Sequence, residues 1–246
     1  MEYKATEGNP ISYNISLESM KIIEGESTEA KTIRNLSSDL SLKMAVIQTT
    51  TETNEGNLEQ EMIVEGGKII QIYPAYESTD EEDIDKGEKL TLEVKKNGKF
   101  SENFEGKLTE SYDIKVLAPR VIFSNEPVSS GDTWTGAINL SNTAEEDNIE
   151  IQYKYVLEKF ETINDLNCAV IKFETLNGEL EIENASVSLF SNGTMHFAFK
   201  TGIIVRYSLS NKVILKSSDK GLEDTVITFD DTVLYELRTL KSSGRN

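Results

Sequence analysis

Residues 126–140 read Glu-Pro-Val-Ser-Ser-Gly-Asp-Thr-Trp-Thr-Gly-Ala-Ile-Asn-Leu and contain Trp134, the only tryptophan of the chain. The turn-forming residues at positions 129–132 lead into a segment in which apolar and polar residues alternate. The segments after this point alternate more strongly than those before it. We therefore predict that Gly131 supplies a turn, that Trp134 anchors packing, and that long antiparallel strands follow.

Alternation with a period of two continues through the second half of the chain. It is clearest in residues 149–158 and recurs in residues 169–173, 195–200, 203–209 and 227–237. A sheet of this many twisted strands curls on itself, which predicts a concave face. We predict an all-β fold consisting of one large, curved, unclosed antiparallel sheet with very little helix. Turns are predicted at Asn164-Asp165, Asn177-Gly178, Asn192-Gly193 and Thr201-Gly202.

The first half of the chain carries weaker signals of the same kind. Ile11, Tyr13, Ile15 and Leu17 alternate with polar residues, which predicts a half-buried strand. Further strands are predicted over residues 42–51, 58–64, 68–73, 90–95, 99–104, 112–116 and 121–123, with hairpin turns at residues 65–67 and at Asn97-Gly98 and a short helical turn within residues 27–36.

The predicted domain organisation is a single β domain over residues 1–241 with a flexible tail at residues 242–246. Residues 8–17 and 131–140 both run from a glycine turn through an aromatic residue into an apolar alternation that ends in leucine. This similarity allows a weak internal duplication, with halves at residues 1–118 and 119–241. The sequence contains no transmembrane run and no signal peptide, so the chain is either cytosolic or a mature secreted protein without its signal.

The composition argues against several classes of function. The formal net charge of -18 repels nucleic acids and anionic membranes, so no nucleic-acid partner is expected. The single cysteine, Cys168, lies in an apolar run and is expected to be a small buried hydrophobic residue. The single histidine, His196, lies in a strand without a nucleophile motif, so no catalytic residues, metal site or cofactor are predicted. The abundant carboxylates leave a glycosidase pair open.

Two regions remain as candidates for binding. The acidic residues 77–89 do not match the spacing of a calcium-binding loop and are expected to form either a solvated loop or an irregular cation site. The apolar residues on the concave face either form an ordinary core or line a ligand site. The candidate lining residues are Met195, Phe197, Phe199, Ile203, Val205 and Tyr207.

Several motifs occur in an order that resembles a known family. After the predicted hairpin at Asn97-Gly98 come Pro-Val-Ser-Ser-Gly-Asp-Thr-Trp at residues 127–134, the strands at residues 155–162 and 167–173, and the aromatic strand at residues 197–207, which contains Thr-Gly-Ile-Ile-Val. This order resembles an uncharacterised family of secreted bacterial and archaeal proteins and lipoproteins. That family is similar in turn to the lipoprotein-carrier superfamily typified by LolA, LolB and LppX.

The resemblance implies an unclosed half-barrel whose concave apolar face can hold acyl chains. It also implies a location outside the cytoplasm, in the periplasm, at the cell surface or secreted, with the signal peptide and any lipid anchor absent from this sequence. A non-enzymatic protein that binds a lipid, another hydrophobic ligand or a lipidated envelope partner is the first hypothesis. A cell-surface structural or protein-interaction module with a filled core is the second, and an enzyme acting on polysaccharide is the third.

Overall fold

The computed structural model describes residues 1–6, 9–105, 117, 119, 121–140, 149–182, 185–219 and 221–240. A short 3-10 helix at Pro74–Tyr76 follows the third strand. The remaining elements are β1 (Ile11–Glu24), α1 (Thr28–Leu36), β2 (Asp39–Glu52), β3 (Leu58–Tyr73), β4 (Ser78–Ile84), β5 (Lys89–Val94), β6 (Phe100–Glu105), β7 (Thr133–Leu140), β8 (Ile149–Ile163), β9 (Leu166–Asn177), β10 (Glu179–Ile182), β11 (Ala185–Ala198), β12 (Ile203–Ser217) and β13 (Val226–Leu240).

All the strands belong to one antiparallel sheet. Its order is β6-β5-β3-β2-β1-β13-β12-β11-β9-β8-β7, while β4 pairs with β3 and β10 pairs with β11. The sheet is not closed, because β6 and β7 stand at opposite ends of this path. The prediction of an all-β fold with one large curved sheet and little helix is therefore confirmed. Strand β1 pairs with β13, so the two ends of the chain meet in the middle of the sheet.

One face of the sheet, the inner face, carries the hydrophobic core. Side chains directly opposite each other on paired strands share a face, so the pairing register identifies its rows. Most residues of the central row are buried. This row crosses nine strands through Trp134, Tyr155, Phe173, Gly193, Leu209, Val233, Leu17, Leu42 and Ile69.

The opposite face, the outer face, is polar and carries ion pairs between neighbouring strands. Lys172 on β9 lies 2.7 Å from Glu158 on β8, and Lys68 on β3 lies 2.7 Å from Glu81 on β4. Because these pairs are exposed to solvent, each contributes little to stability. The alternation seen in the sequence thus separates a buried apolar face from a solvated one.

Several local predictions are confirmed. Residues 11–17 lie in β1, and Ile11, Tyr13, Ile15 and Leu17 are buried. Asn97-Gly98 is the turn between β5 and β6. Residues 28–36 form α1, and the hydroxyl of its N-cap residue Ser27 accepts a hydrogen bond from the backbone N–H of Ala30. Cys168 is fully buried. The weak duplication stays a prediction, and the predicted strand 112–116 and tail 242–246 lie outside the described residues.

Two predicted turns are wrong, because glycine serves close packing at these positions. Residues 58–64 and 68–73 form the single strand β3, whose pairing with β2 shifts at a bulge beside Gly66. A Cβ at Gly67 would lie 2.7 Å from the carbonyl oxygen of Lys43. Asn192-Gly193 lies within β11, where a Cβ at Gly193 would overlap the Phe173 ring. Glycine allows close approach as readily as it allows a turn.

Two further predictions are also corrected. Within the predicted loop at residues 77–89, residues 78–84 form the edge strand β4, and its first six residues are exposed. The part of the chain that the structure describes contains no cluster of three or more acidic, histidine or cysteine side chains able to hold a metal ion. Residues 121–123 do not form a strand but an irregular, buried segment. Among the described residues, no helix is long and apolar enough to cross a membrane.

We expect Gly193→Ala to lower the free energy of unfolding by about 1–3 kcal/mol, because the added methyl group would collide with the Phe173 ring and the Ser208 backbone. The measurement is urea denaturation. Ser186→Ala, on the same strand, is the control and should change stability by less than about 0.5 kcal/mol. Equal stability of the two variants would contradict the packing described for Gly193.

Candidate functional site

Residues 121–123, which we name the strap, join the two ends of the open sheet. The backbone N–H of Phe123 donates a hydrogen bond of 2.7 Å to the carbonyl oxygen of Asn97, in the turn between β5 and β6. The indole Nε1 of Trp134, on β7, donates a hydrogen bond of 2.7 Å to the carbonyl oxygen of Ile122. The strap therefore holds the β6 end of the sheet close to the β7 end.

The sequence favours this geometry on both sides of the strap. Gly98 has a φ of +91°, a value that L-residues rarely adopt, and a Cβ there would overlap the carbonyl oxygen of Val121. Trp134 stacks on Tyr155, with 5.5 Å between ring centroids, so its ring is fixed while its N–H reaches the strap. These contacts agree with the packing role predicted for Trp134.

The N-terminal segment completes this end of the core. The ring of Tyr3 lies 5.3 Å from that of Phe123 and 5.2 Å from that of Phe197, centroid to centroid. The backbone N–H of Tyr3 donates a hydrogen bond of 2.8 Å to the carbonyl oxygen of Lys96, beside the turn between β5 and β6. Burial raises the pKa of the Tyr3 phenol well above its ordinary value, so the ring stays neutral. Tyr3 and the strap together cover this half of the inner face.

The six residues predicted to line a ligand site lie in or beside this covered half. The register between β11 and β12 shifts after His196, so that Ile204, and not Ile203, lies opposite Phe197. A ligand that reached Phe197 would have to displace Tyr3 and Phe123. The lining role therefore stays a prediction. The exposed fractions of the six predicted lining residues are 0% for Met195, Phe197 and Tyr207, 4% for Val205 and 5% for Ile203, while Phe199 is half-buried.

A row of polar side chains, which we name the polar ladder, crosses the inner face next to the core. It runs through Thr175, Ser191, Asn211, Asp231 and Ser19 on five neighbouring strands. The Ser191 hydroxyl donates to Asn211 Oδ1 (2.6 Å), and Asn211 Nδ2 donates to Asp231 Oδ2 (2.9 Å). The Ser19 hydroxyl donates to Asp231 Oδ1 (2.7 Å), and Thr175 Oγ1 accepts from the Ser191 backbone N–H (2.8 Å).

Beyond the polar ladder, the inner face continues as an apolar surface that is only partly covered. Two rows of the pairing register form it, and most of its side chains are half-buried. We name this surface the distal strip. It consists of Val187, Leu189, Val213, Leu215, Ile227 and Phe229.

A single cation stands over the distal strip. Lys21 lies opposite Phe229 in the register, and its ammonium nitrogen is 5.2 Å from the centre of the Phe229 ring. Among the residues that the structure describes, no carboxylate forms an ion pair with Lys21. Arg34 of α1 donates hydrogen bonds to the carbonyl oxygens of Ile23 (2.8 Å) and Gly25 (2.9 Å), which holds the helix at this end of β1. The strip thus combines an apolar floor with one positive charge.

His196 lies on the outer face beside Glu161. Its Nε2 is 3.2 Å from Glu161 Oε1, and its side chain is 18% exposed. Burial lowers the pKa of His196, although the neighbouring carboxylate acts in the opposite direction. The hydrogen bond from Lys159 holds the pKa of Glu161 below its ordinary value. The pair is therefore a neutral imidazole beside an ion pair, at a position away from the distal strip.

The sequence analysis missed both the polar ladder and the distal strip. Polar residues at inner-face positions of five strands were a signal for the ladder, because Ser19, Asn211 and Asp231, for example, interrupt an otherwise apolar alternation. Their assembly into one row depends on the pairing of β1 with β13, which lies at the other end of the chain. The distal strip is defined only once the ladder is known, because it is the apolar surface on the other side of the ladder from the core.

No protein-family model and no curated protein matches the chain. Among solved structures, it is similar to the crystal structure of a DUF1329 family protein from Desulfovibrio piger. The match covers 96% of this chain and 89% of that chain, with 10% sequence identity and a TM-score of 0.21. A likeness this weak assigns neither a fold nor a function. The resemblance to the lipoprotein-carrier superfamily stays a prediction.

We expect Asn211→Leu to lower the free energy of unfolding by about 1–3 kcal/mol, because it leaves the Ser191 hydroxyl and the Asp231 carboxylate without their shared partner. Chemical denaturation provides the measurement. Lys212→Leu changes the neighbouring residue on the outer face and should leave stability within about 0.5 kcal/mol of wild type. A stable Asn211→Leu variant would show that the ladder contributes nothing.

We also expect His196 to make stability depend on pH in a defined direction. Its pKa in the folded protein is lower than in the unfolded chain, so the unfolded chain binds the proton more readily. The stabilising effect is complete above the unfolded pKa of about 6.5 and is lost as the pH falls below it. Between about pH 7.5 and pH 5, wild type should therefore lose more unfolding free energy than His196→Gln. The measurement is chemical denaturation of both proteins at several pH values, and equal losses of unfolding free energy in wild type and His196→Gln would contradict the prediction.

Proposed function

We propose that this protein is a non-enzymatic binding protein that acts outside the cytoplasm and holds an acyl chain, from a lipid or a lipidated partner, on the distal strip. The observation that carries the proposal is the strip itself, a half-buried apolar surface that continues the inner face beyond the polar ladder. Burying an acyl chain there contributes about 0.8 kcal/mol for each methylene group removed from water.

The charge on the strip favours a ligand with an anionic head group. Lys21 places an ammonium group over Phe229, at the edge of the apolar floor. The chain as a whole carries a net charge of -18, so a lysine whose ammonium group forms no ion pair among the described residues stands out against its surroundings. A fatty-acid carboxylate would pair with Lys21 while its chain lies along Val213 and Leu215.

The covered half of the inner face supports a site at the distal strip. Tyr3 and the strap already occupy the space over Phe197, through ring contacts and two backbone hydrogen bonds. A ligand that binds beneath Tyr3 and the strap would have to break these contacts of the protein before it formed contacts of its own. The distal strip requires no such exchange, because its side chains are already partly accessible to solvent.

The remaining parts of the proposal have separate support. The location outside the cytoplasm is supported by the motifs at residues 127–134 and 200–205, which resemble those of secreted proteins and lipoproteins. A non-enzymatic role is supported by the positions of the two residues with the most reactive side chains. His196 faces Glu161 on the outer face, and Cys168 is fully buried. Burial also raises the pKa of the Cys168 thiol, which keeps it protonated.

A protein-interaction module with a filled core is the second candidate function. The observation that favours it is the filling of the strap-covered half by the chain's own residues, since Val121 is 0% and Phe123 2% exposed. In that case the ligand-binding surface would be external. Strand β4 is one such surface, because Ser78–Asp83 are exposed and include four carboxylates.

The proposal predicts that the protein binds palmitate, as measured by native mass spectrometry of protein incubated with the fatty acid. Val213→Asp places a charge in the strip and should weaken binding by about tenfold or more, and Lys21→Gln should weaken it less. Ile214→Asp is the matched control, because the adjacent side chain points to the outer face and should leave binding unchanged. Circular dichroism establishes that all variants are folded.

Three outcomes separate the candidates. Palmitate binding that is lost in Val213→Asp but kept in Ile214→Asp supports the distal strip. Binding that survives Val213→Asp but is lost when Phe123 is replaced by Ala would assign the ligand to the covered half. No binding by the folded wild-type protein rejects the acyl-chain proposal and leaves the interaction module.

A further inference from the structure

The outer face of the sheet contains two neighbouring clefts. One has a volume of about 510 Å³ and lies across β8, β9, β11, β12 and β13. The other has a volume of about 410 Å³ and lies across β13, β1, β2 and the bulge of β3. Both clefts face away from the distal strip. Apart from the core residues Phe173, Leu209, Ile15 and Met44, their lining residues belong neither to the core nor to the proposed acyl-chain site.

The pairing register shows that the two clefts lie along the same row of residues. Thr194 on β11 lies opposite Ser208 on β12, Ser208 lies opposite Leu234 on β13, and Leu234 lies opposite Ser16 on β1. Thr194 and Ser208 line the first cleft, Ser16 lines the second, and the row between them is continuous. With about 4.8 Å between neighbouring strands, these four strands alone span about 14 Å. We name this feature the outer groove.

Small polar side chains explain why the outer groove is a depression. A second row, formed by Asn192, Ser210 and Thr232, runs beside the first. Hydroxyl and amide groups are short, so these side chains fill little of the space above the strands. Each of these groups can both donate and accept hydrogen bonds. A ligand rich in hydroxyl groups needs this combination along its length.

Four pairs of opposite charges lie around the outer groove. A ligand with a net charge would therefore have to compete with a partner inside the protein. An uncharged ligand meets no such competition. The pairs are Lys154 with Glu174 (3.6 Å), Lys172 with Glu158 (2.7 Å), Arg206 with Glu236 (3.6 Å) and Lys43 with Glu18 (3.6 Å).

An exposed aromatic ring lies beside the groove. Phe190 is two residues before Asn192 on β11, so both side chains point to the outer face. Half of the Phe190 side chain is exposed to solvent (50%), so its ring is accessible to a ligand. The flat ring offers a surface for the C–H groups of a sugar ring. The neighbouring amide of Asn192 and hydroxyl of Ser210 are available for the sugar hydroxyls.

We infer that the outer groove binds a neutral polysaccharide, which lies across the strands, stacks one sugar on Phe190 and forms hydrogen bonds with Asn192, Ser210 and Thr194. The carboxylates that line the two clefts, Glu174 and Glu236, each face a basic side chain, so the inferred activity is binding without cleavage. The groove is on the opposite face from the distal strip. The inference is therefore independent of the proposed acyl-chain site.

Affinity electrophoresis in native gels tests the inference on the whole chain. The gels contain dextran, laminarin, mannan or soluble starch as neutral polymers, or alginate as an anionic one. At least one neutral polymer should retard the wild-type protein. Phe190→Ala and Ser210→Trp, which remove the ring and fill the groove, should each raise the dissociation constant by about tenfold or more. Phe160→Ala is the matched control, because Phe160 is equally exposed (52%) but contacts Phe199 instead.

Retardation that is lost in the two groove variants and kept in Phe160→Ala supports the inference, provided that all three variants have wild-type circular dichroism spectra. Retardation by alginate alone would overturn it in favour of an anionic ligand. A further gel contains a casein peptide mixture. Retardation in that gel alone would overturn the inference in favour of a peptide ligand. No retardation by any neutral polymer, or equal losses in all three variants, would also overturn it. Palmitate binding tests the other face and cannot produce these results.

Discussion

The structure depends on a constraint placed on an open sheet, namely that its two ends are held together by three residues that form no strand. Two hydrogen bonds link the strap to the turn at Asn97 and to the indole of Trp134. An open sheet of this size would otherwise leave its apolar face exposed to water. The strap and Tyr3 close one half of that face, and Gly98 allows the close approach of the two segments. The resulting half-barrel is therefore filled at one end.

The polar ladder determines where the filled half stops. Its hydrogen bonds satisfy Asn211 and Ser191, which are each only 3% exposed, so the row is stable inside the protein. A ligand or a slipped strand would have to break this chain of bonds to move between the two halves. The inner face consequently has two parts with different properties, a sealed core and an accessible strip. The outer groove adds a third surface, which is polar and has four ion pairs around it.

The sequence alone predicted the sheet well and the candidate sites poorly. Alternation identified the buried faces of β1, β8 and β12, because burial on one side of a strand determines residue type locally. Glycine positions were ambiguous, since Gly193 could mark a turn or a close contact and only the position of Phe173 decides between them. The run Val121-Ile122-Phe123 has the composition of a strand, and its role as a strap depends on the distant Asn97 and Trp134. The ladder likewise required the pairing of β1 with β13.

Strand β4 has a consequence for the behaviour of the protein in solution. Within the described residues it pairs with β3 alone, and its exposed edge could align with the edge of another molecule. Asp80, Glu81, Glu82 and Asp83 place four carboxylates along this edge, and two such edges repel each other. The acidic strand thus opposes edge-to-edge assembly of this sheet into β-rich aggregates.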